Sequence, residues 1–214
     1  NAFDKPSAES EVFELCQSGK QRRKNELFRR AEDITTKPVR LYEAGNGTQN
    51  SNEPKTDTMI KKELLLGDEA IAWGALNAGL SGVYAYPGTP STEITEFIQM
   101  HPLTRERGIH CNWSANEKTA LEAALGMSFV GKRALVCMKH VGMNVCADAF
   151  VNSAMTGANG GLVVVAADDP SMHSSQNEQD SRFYAKFAMI PCFEPASQQE
   201  AYEMIGERSE EHTS

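Results

Sequence analysis

The sequence has no run of about eighteen apolar residues and no signal-peptide core near its start, which predicts a chain that neither spans a membrane nor is secreted. It lacks any Cys-x-x-Cys pair or cysteine–histidine spacing of the zinc type, although it holds 5 cysteines, at 16, 111, 137, 146 and 192. No metal site is therefore expected. Cysteines on apolar stretches such as Leu135-Val-Cys-Met138 read instead as reduced, buried thiols of a cytoplasmic protein. Positive charge is also scarce: 21 Lys and Arg face 29 Asp and Glu, a formal net charge of -8, which disfavours nucleic acid and anionic membrane as partners. Internal repeats and low-complexity tracts are absent. What remains is 214 residues, 40% of them apolar, enough to bury the core of one ordinary α/β domain.

The two ends contribute little to that core. Residues 1–58 hold few apolar residues outside Val12-Phe13 and Leu27-Phe28, and they close in the loop-like Gly45-Asn-Gly-Thr-Gln-Asn-Ser-Asn-Glu-Pro54. They read as non-native upstream translation before a start at Met59, or else as a disordered extension with one basic helix around Gln17 to Ala31. The closing Arg208-Ser-Glu-Glu-His-Thr-Ser214 reads as an adapter-derived tail over 208–214. The fold is expected within 59–207.

In that interval helical and strand patterns alternate. The spacing predicts helices near 67–80, 91–100, 116–130, 142–155 and from 197, and strands at 82–86, 109–113, 133–138 and 161–167. A short helix is expected around 182–187. Ala134-Leu-Val-Cys-Met138 and Leu162-Val-Val-Val-Ala-Ala167 are continuously apolar, the pattern of central strands covered on both faces. The fold class is therefore α/β, a three-layer parallel sheet with helices on both faces. The polar stretch Asp168 to Asp180 is long for a connection in a compact domain, so it reads as functional or interfacial.

The carboxyl edge of such a sheet is where ligands bind, and three junctions place polar residues there. Tyr86-Pro-Gly-Thr-Pro-Ser-Thr-Glu-Ile94 follows one strand. Pro90 is read at the first helical position and Thr89 as an N-cap worth about 1 kcal/mol or as a ligand-facing hydroxyl. Ser114-Ala-Asn-Glu117 follows the next strand and fits a capping box, with Glu117 as its acid, as well as an isolated carboxyl at a binding edge. Lys139-His140-Val-Gly142 ends a third, with an exposed lysine and a capping histidine as the plain readings. Asp168 and Asp169 suit a turn better than a metal.

These motifs, in order with Leu64-Leu-Leu-Gly-Asp-Glu-Ala-Ile-Ala72 and Asp168-Asp-Pro-Ser-Met-His-Ser-Ser-Gln-Asn-Glu-Gln-Asp180, resemble the amino-terminal pyrimidine-binding domain of thiamine diphosphate-dependent 2-oxoacid:ferredoxin oxidoreductases. The likeness is greatest to the indolepyruvate branch. It implies a thiamine diphosphate-binding fold and oxidative decarboxylation of an aryl 2-oxoacid to its coenzyme A thioester, with electrons passed to ferredoxin.

In the residue roles so implied, Glu117 is the catalytic acid beside the cofactor pyrimidine and Thr89 orients the substrate. Gly88 allows close approach of the cofactor, and Ser91, Lys139 and His140 are further candidates for the substrate pocket. The resemblance assigns Mg2+ and the diphosphate to a different domain, whose Gly-Asp-Gly pattern is not found here, and [4Fe-4S] clusters to a later part of the subunit. It also implies a partner β or γ subunit, and a fragment that is inactive alone. Other readings stay open: another 2-oxoacid:ferredoxin oxidoreductase, a non-oxidative 2-oxoacid decarboxylase subunit, or a non-enzymatic flavodoxin-like binding module in which every polar residue above is a cap or a turn.

Overall fold

The computed structural model describes residues 39–42 and 60–208. The basic helix expected around Gln17 to Ala31, and the tail beyond Arg208, lie outside the described residues. Strands β3 (Gly82–Ala85), β4 (His110–Trp113), β5 (Ala134–Lys139) and β6 (Leu162–Ala167) form a parallel sheet in the order β4-β3-β5-β6. In its register Val83 stands between Cys111 and Leu135.

Along β5 the side chains alternate between two cores, which is why its sequence is apolar without interruption. Val136 and Met138 pack with Leu121 and Ala124 of α4 (Glu117–Phe129) and with Met143 and Phe150 of α5 (His140–Thr156). Leu135 and Cys137 face the other way, against Ala72 and Leu76 of α1 (Gly67–Asn77) and Ile94 and Ile98 of α2 (Thr92–Met100). Leu76 and Leu121 are fully buried, each contributing roughly 1.5–3 kcal/mol. The three layers expected from the sequence are thus formed. In this core, burial pushes the Cys137 thiol up to about 12, so it stays protonated and inert.

The strand at 162–167 departs from its expected central place. β6 pairs with β5 alone among the described strands, and each of its residues is only half-buried. Its residues still alternate, with Val164 against one core and Val163 against the other. Continuous apolarity reports that both faces are covered, and it says nothing about which edge is hydrogen-bonded.

The boundary expected at Met59 also moves. β1 (Val39–Tyr42) pairs antiparallel with β2 (Ile60–Glu63), and Val39 and Leu41 are buried beside Leu65, Ala70 and Tyr202. Gln199 ties this strand to α7 (Gln198–Arg208) by accepting from the Arg40 amide at 2.6 Å. Val39–Tyr42 therefore belongs to the folded unit. Two alternating apolar residues among polar neighbours are too short a pattern to show it in the sequence. In the same region α1 and α7 lie backbone to side: a Cβ on Gly74 would stand 2.5 Å from the Tyr202 carbonyl oxygen.

Two short helices complete the described residues. α3 (Pro102–Arg107) was not expected, yet it carries ordinary signals: the His101 ring accepts from the Leu103 amide, Pro102 stands at the first position, and Gly108 ends it at φ 65°. α6 (Arg182–Ala188) covers the expected 182–187. No described helix is long and apolar enough to cross a membrane.

Asp68, in the first turn of α1, is raised from 3.8 to about 6, first by burial and then by the charges of Glu93 and Glu69. An acid with a raised folded pKa stabilises the fold most below its unfolded value and loses that contribution as pH rises through the folded one. Asp68→Asn should therefore stabilise the chain at neutral pH by ~1–2 kcal/mol, after discounting for partial solvent screening. Urea unfolding midpoints should show the advantage shrinking between about pH 6 and pH 4.

Candidate functional site

The four strand ends Ala85, Trp113, Lys139 and Ala167 share one edge of the sheet, because every strand is parallel. There an open cleft of about 650 Å³ is lined by Tyr86 to Thr89 after β3, Glu117 after β4, Lys139 and Val141 at the end of β5, and Met172 to Gln176 after β6. Gly88, Thr89, Glu117 and Lys139, singled out in the sequence, are thereby brought together. Ser91 and His140 do not line the cleft; both are buried beneath it. His173, Ser174 and Ser175 were not singled out, and the sequence signals for them were the length of their loop and its place in the Asp168 to Asp180 motif.

Glu117 is the first residue of α4, and it is not the acid of a capping box. Asn116 is the N-cap: its side-chain oxygen accepts from the Thr119 amide at 2.9 Å. Glu117 is 7% exposed and makes no hydrogen bond or ion pair with the described residues. A carboxyl so placed, with no partner among the described residues, is costly unless something in the cleft satisfies it. Its seat is made by Gly142 in the first turn of α5, where a Cβ would stand 2.6 Å from Glu117 Cγ and 2.8 Å from Oε1. Burial, and next the charge of Glu117, push the Cys146 thiol up to about 12.

Thr89 is not an N-cap either. α2 begins at Thr92, later than the sequence suggested, because the residues before it form a turn that satisfies itself. The Ser91 amide and hydroxyl both donate to the Gly88 carbonyl, at 2.9 and 2.8 Å, and the Gly88 amide donates to Thr92 Oγ1 at 2.9 Å. Ser91 and Thr92 thus fix the backbone. The exposed Thr89 is left with a hydroxyl that has no partner among the described residues and lines the cleft. Gly88 has a close neighbour: a Cβ there would meet Lys139 Cδ at 2.9 Å.

Lys139 is both the last residue of β5 and the N-cap of α5. Its ammonium donates to the Ser174 carbonyl at 2.7 Å and has no carboxylate within ion-pair distance among the described residues. His140 behaves differently. Carbonyl oxygens only accept, so its Nε2 carries the proton, donating to Asn177 O at 3.0 Å beside Asn177 Oδ1 at 3.1 Å. Gln179 Nε2 donates back to the His140 carbonyl at 2.9 Å. The histidine therefore anchors the loop after β6. No group of three or more His, Cys, Asp or Glu among the described residues could hold a metal ion. Among the described residues the arrangement offers an anion one unneutralised cation and one free hydroxyl, beside a buried carboxyl.

Residues 73–208 match the family described as pyruvate flavodoxin/ferredoxin oxidoreductase, thiamine diphosphate-binding. Over 145 residues the chain is 53% identical to the indolepyruvate oxidoreductase subunit IorA of Pyrococcus horikoshii, covering 68% of this chain and 22% of that protein. Over 152 residues it is 52% identical to the protein of the same name from Archaeoglobus fulgidus, covering 70% and 24%. The chain thus spans less than a quarter of the length of these relatives. A solved 2-oxoglutarate:ferredoxin oxidoreductase from Magnetococcus marinus aligns over 58% of this chain and 25% of that chain, at 20% identity and a TM-score of 0.44.

The contact between Gly142 and Glu117 can be tested without any ligand. Gly142→Ala gains helix propensity, yet overpacking against Glu117 Cγ should leave a net destabilisation of roughly 1–2 kcal/mol. With Glu117→Ala already in place the same substitution should be neutral or stabilising, so urea unfolding of the double-mutant cycle should show a coupling of at least about 1 kcal/mol. Additive effects would mean that the two residues do not share this seat.

Proposed function

The chain belongs to the pyruvate flavodoxin/ferredoxin oxidoreductase, thiamine diphosphate-binding family, and from that premise we propose that it is the pyrimidine-side portion of an indolepyruvate (arylpyruvate):ferredoxin oxidoreductase α subunit. The observation that carries the reading is Glu117: a carboxyl buried at the cleft, seated by a glycine, with no partner among the described residues. A pyrimidine ring nitrogen is a partner of fitting chemistry, since a protonated carboxyl donates to it. Thiamine diphosphate, when bound, supplies the carbanion that attacks the 2-oxo carbon and accepts the electrons released on decarboxylation.

The residues of this chain prepare that site. Glu117 holds a proton against the pyrimidine nitrogen. Gly88 keeps the turn after β3 close to the cleft, and Thr89 offers its hydroxyl to the carboxylate or keto oxygen of the 2-oxoacid. Lys139 sets a positive charge where the substrate carboxylate lies. Tyr86, Val141 and Met172 give the cleft apolar surface on several sides, which suits an aryl side chain.

In the complete reaction the 2-oxoacid loses CO2, its acyl carbon becomes the coenzyme A thioester, and two electrons pass to ferredoxin. The parts of the relatives that this chain does not cover are proposed to hold Mg2+ with the diphosphate and the [4Fe-4S] clusters, and a β or γ subunit completes the assembly in the cytoplasm. The plain binding-module reading is the weaker one, because it needs Glu117 and Thr89 to be caps, whereas Asn116 caps α4 and the turn before α2 closes on Ser91 and Thr92 without Thr89.

The full-length α subunit with its partner, under anaerobic conditions with thiamine diphosphate, should reduce ferredoxin with indolepyruvate. Glu117→Ala should lower kcat by at least about a hundredfold, the scale of a lost acid–base group, with its unfolding midpoint retained. Full activity in a folded variant would sink the assignment.

A further inference from the structure

After β6 the chain folds back over the sheet edge, and one side chain gathers the loop. Asp169 is 9% exposed. One of its oxygens accepts from the His173 amide at 3.2 Å, and the other accepts from the Ser174 amide at 2.8 Å and the Ser175 hydroxyl at 2.7 Å. The Ser174 amide, and after it the Ser175 hydroxyl, hold this carboxyl below the usual carboxylate range.

Enclosed by these bonds is a turn over Asp169-Pro-Ser-Met172, closed by the Met172 amide donating to the Asp169 carbonyl at 3.0 Å. Pro170 suits its second position, but Ser171 and Met172 take φ of 71° and 56°. Left-handed backbone is unfavourable for residues with a side chain, and it persists where the surroundings over-determine it. The three bonds to Asp169 do so here.

The Ser174 carbonyl leaves this knot towards β5 and accepts from Lys139 Nζ at 2.7 Å. On another side the lysine stem runs over Gly88, in the space a Cβ would fill. A carboxylate in direct contact with Lys139 would hold it equally well but would neutralise its charge. Held through a neutral carbonyl, the ammonium keeps its full charge and its other donors.

We propose that Asp169 is a positioning residue for Lys139: by fixing the turn that presents the Ser174 carbonyl, it holds the lysine ammonium in one place at the cleft, charged and unneutralised, to receive a carboxylate. The ligand in this statement rests on the reading of Lys139 given above, whereas the positioning of Lys139 does not.

Two measurements separate the parts. The first is the rate at which Lys139 is acetylated by acetic anhydride, read by mass spectrometry on the folded chain with Lys132 as internal reference. Asp169→Asn should raise the Lys139 rate several-fold, and Ser175→Ala, which removes one bond to Asp169, should raise it less. An unchanged rate in both folded variants would overturn the proposal.

The second uses the full-length subunit with its partner. Asp169→Asn should raise KM for the 2-oxoacid about tenfold, the scale of a lost charged hydrogen bond, with kcat kept. Lys139→Met should do the same, and the double variant should be no worse than Lys139→Met alone. Multiplying effects would overturn the proposal. An unchanged KM in Lys139→Met would instead defeat the reading of the ligand, while the acetylation rates would still decide the role of Asp169.

Discussion

The direct passage of β5 into α5, with no loop residue between Lys139 and His140, is the constraint on which the rest of the site depends. A strand that becomes a helix within one peptide unit cannot slide relative to it, so neighbouring side chains are aimed in three fixed directions. Lys139 crosses Gly88 towards the cleft, His140 is driven inward to anchor the loop after β6, and Gly142 stands beside Glu117. β5 is itself held between two packed cores, which leaves the junction little freedom to move. Three neighbouring loops thus take their positions from one rigid element, as a site requiring sub-ångström placement needs.

Two glycines make this crowding possible. Gly88 and Gly142 each leave the space that a Cβ would occupy within 3 Å of a neighbouring side chain that lines the cleft. In neither case is a left-handed backbone the reason for glycine; close approach is. The sequence presents both as ordinary residues of a turn and of a first helical turn. Their partners, Lys139 and Glu117, come from other elements, and no local pattern states that they meet.

The same distinction decides what was legible in the sequence. The three-layer class was readable because burial on two faces writes itself into consecutive residues, as in Ala134 to Met138. The cleft was readable because parallel strands put their following loops on one edge, so Thr89, Glu117 and Lys139 had to lie near one another. Features set by a single distant contact were not readable. β1 is held by α7 and by β2, both distant from it in sequence, the edge position of β6 depends on pairing, and His140 is buried by a loop more than thirty residues away. Capping was misjudged for a related reason: Ser, Thr and Asn are crowded at both strand-to-helix junctions, and which of them caps depends on backbone angles that composition leaves open. Asn116 caps α4, and the turn before α2 is closed by Ser91 and Thr92, which leaves Glu117 and Thr89 at the cleft.

Charge gives this allocation its consequence. The chain carries a formal net charge of -8, so at long range it repels an anionic ligand. At physiological ionic strength that repulsion is screened beyond about 8 Å, and what an anion meets inside the cleft is local. There Lys139 has no carboxylate partner among the described residues, while one acid of the loop, Asp169, is already engaged by two amides and a hydroxyl. An acid so engaged is a weak competitor for the ammonium, because its lone pairs are turned into the knot it ties. The fold therefore concentrates a single positive charge against a negative background and spends its nearby carboxylate on backbone geometry. On the proposed function, such a site would select a small anion through placement of one cation instead of through net charge.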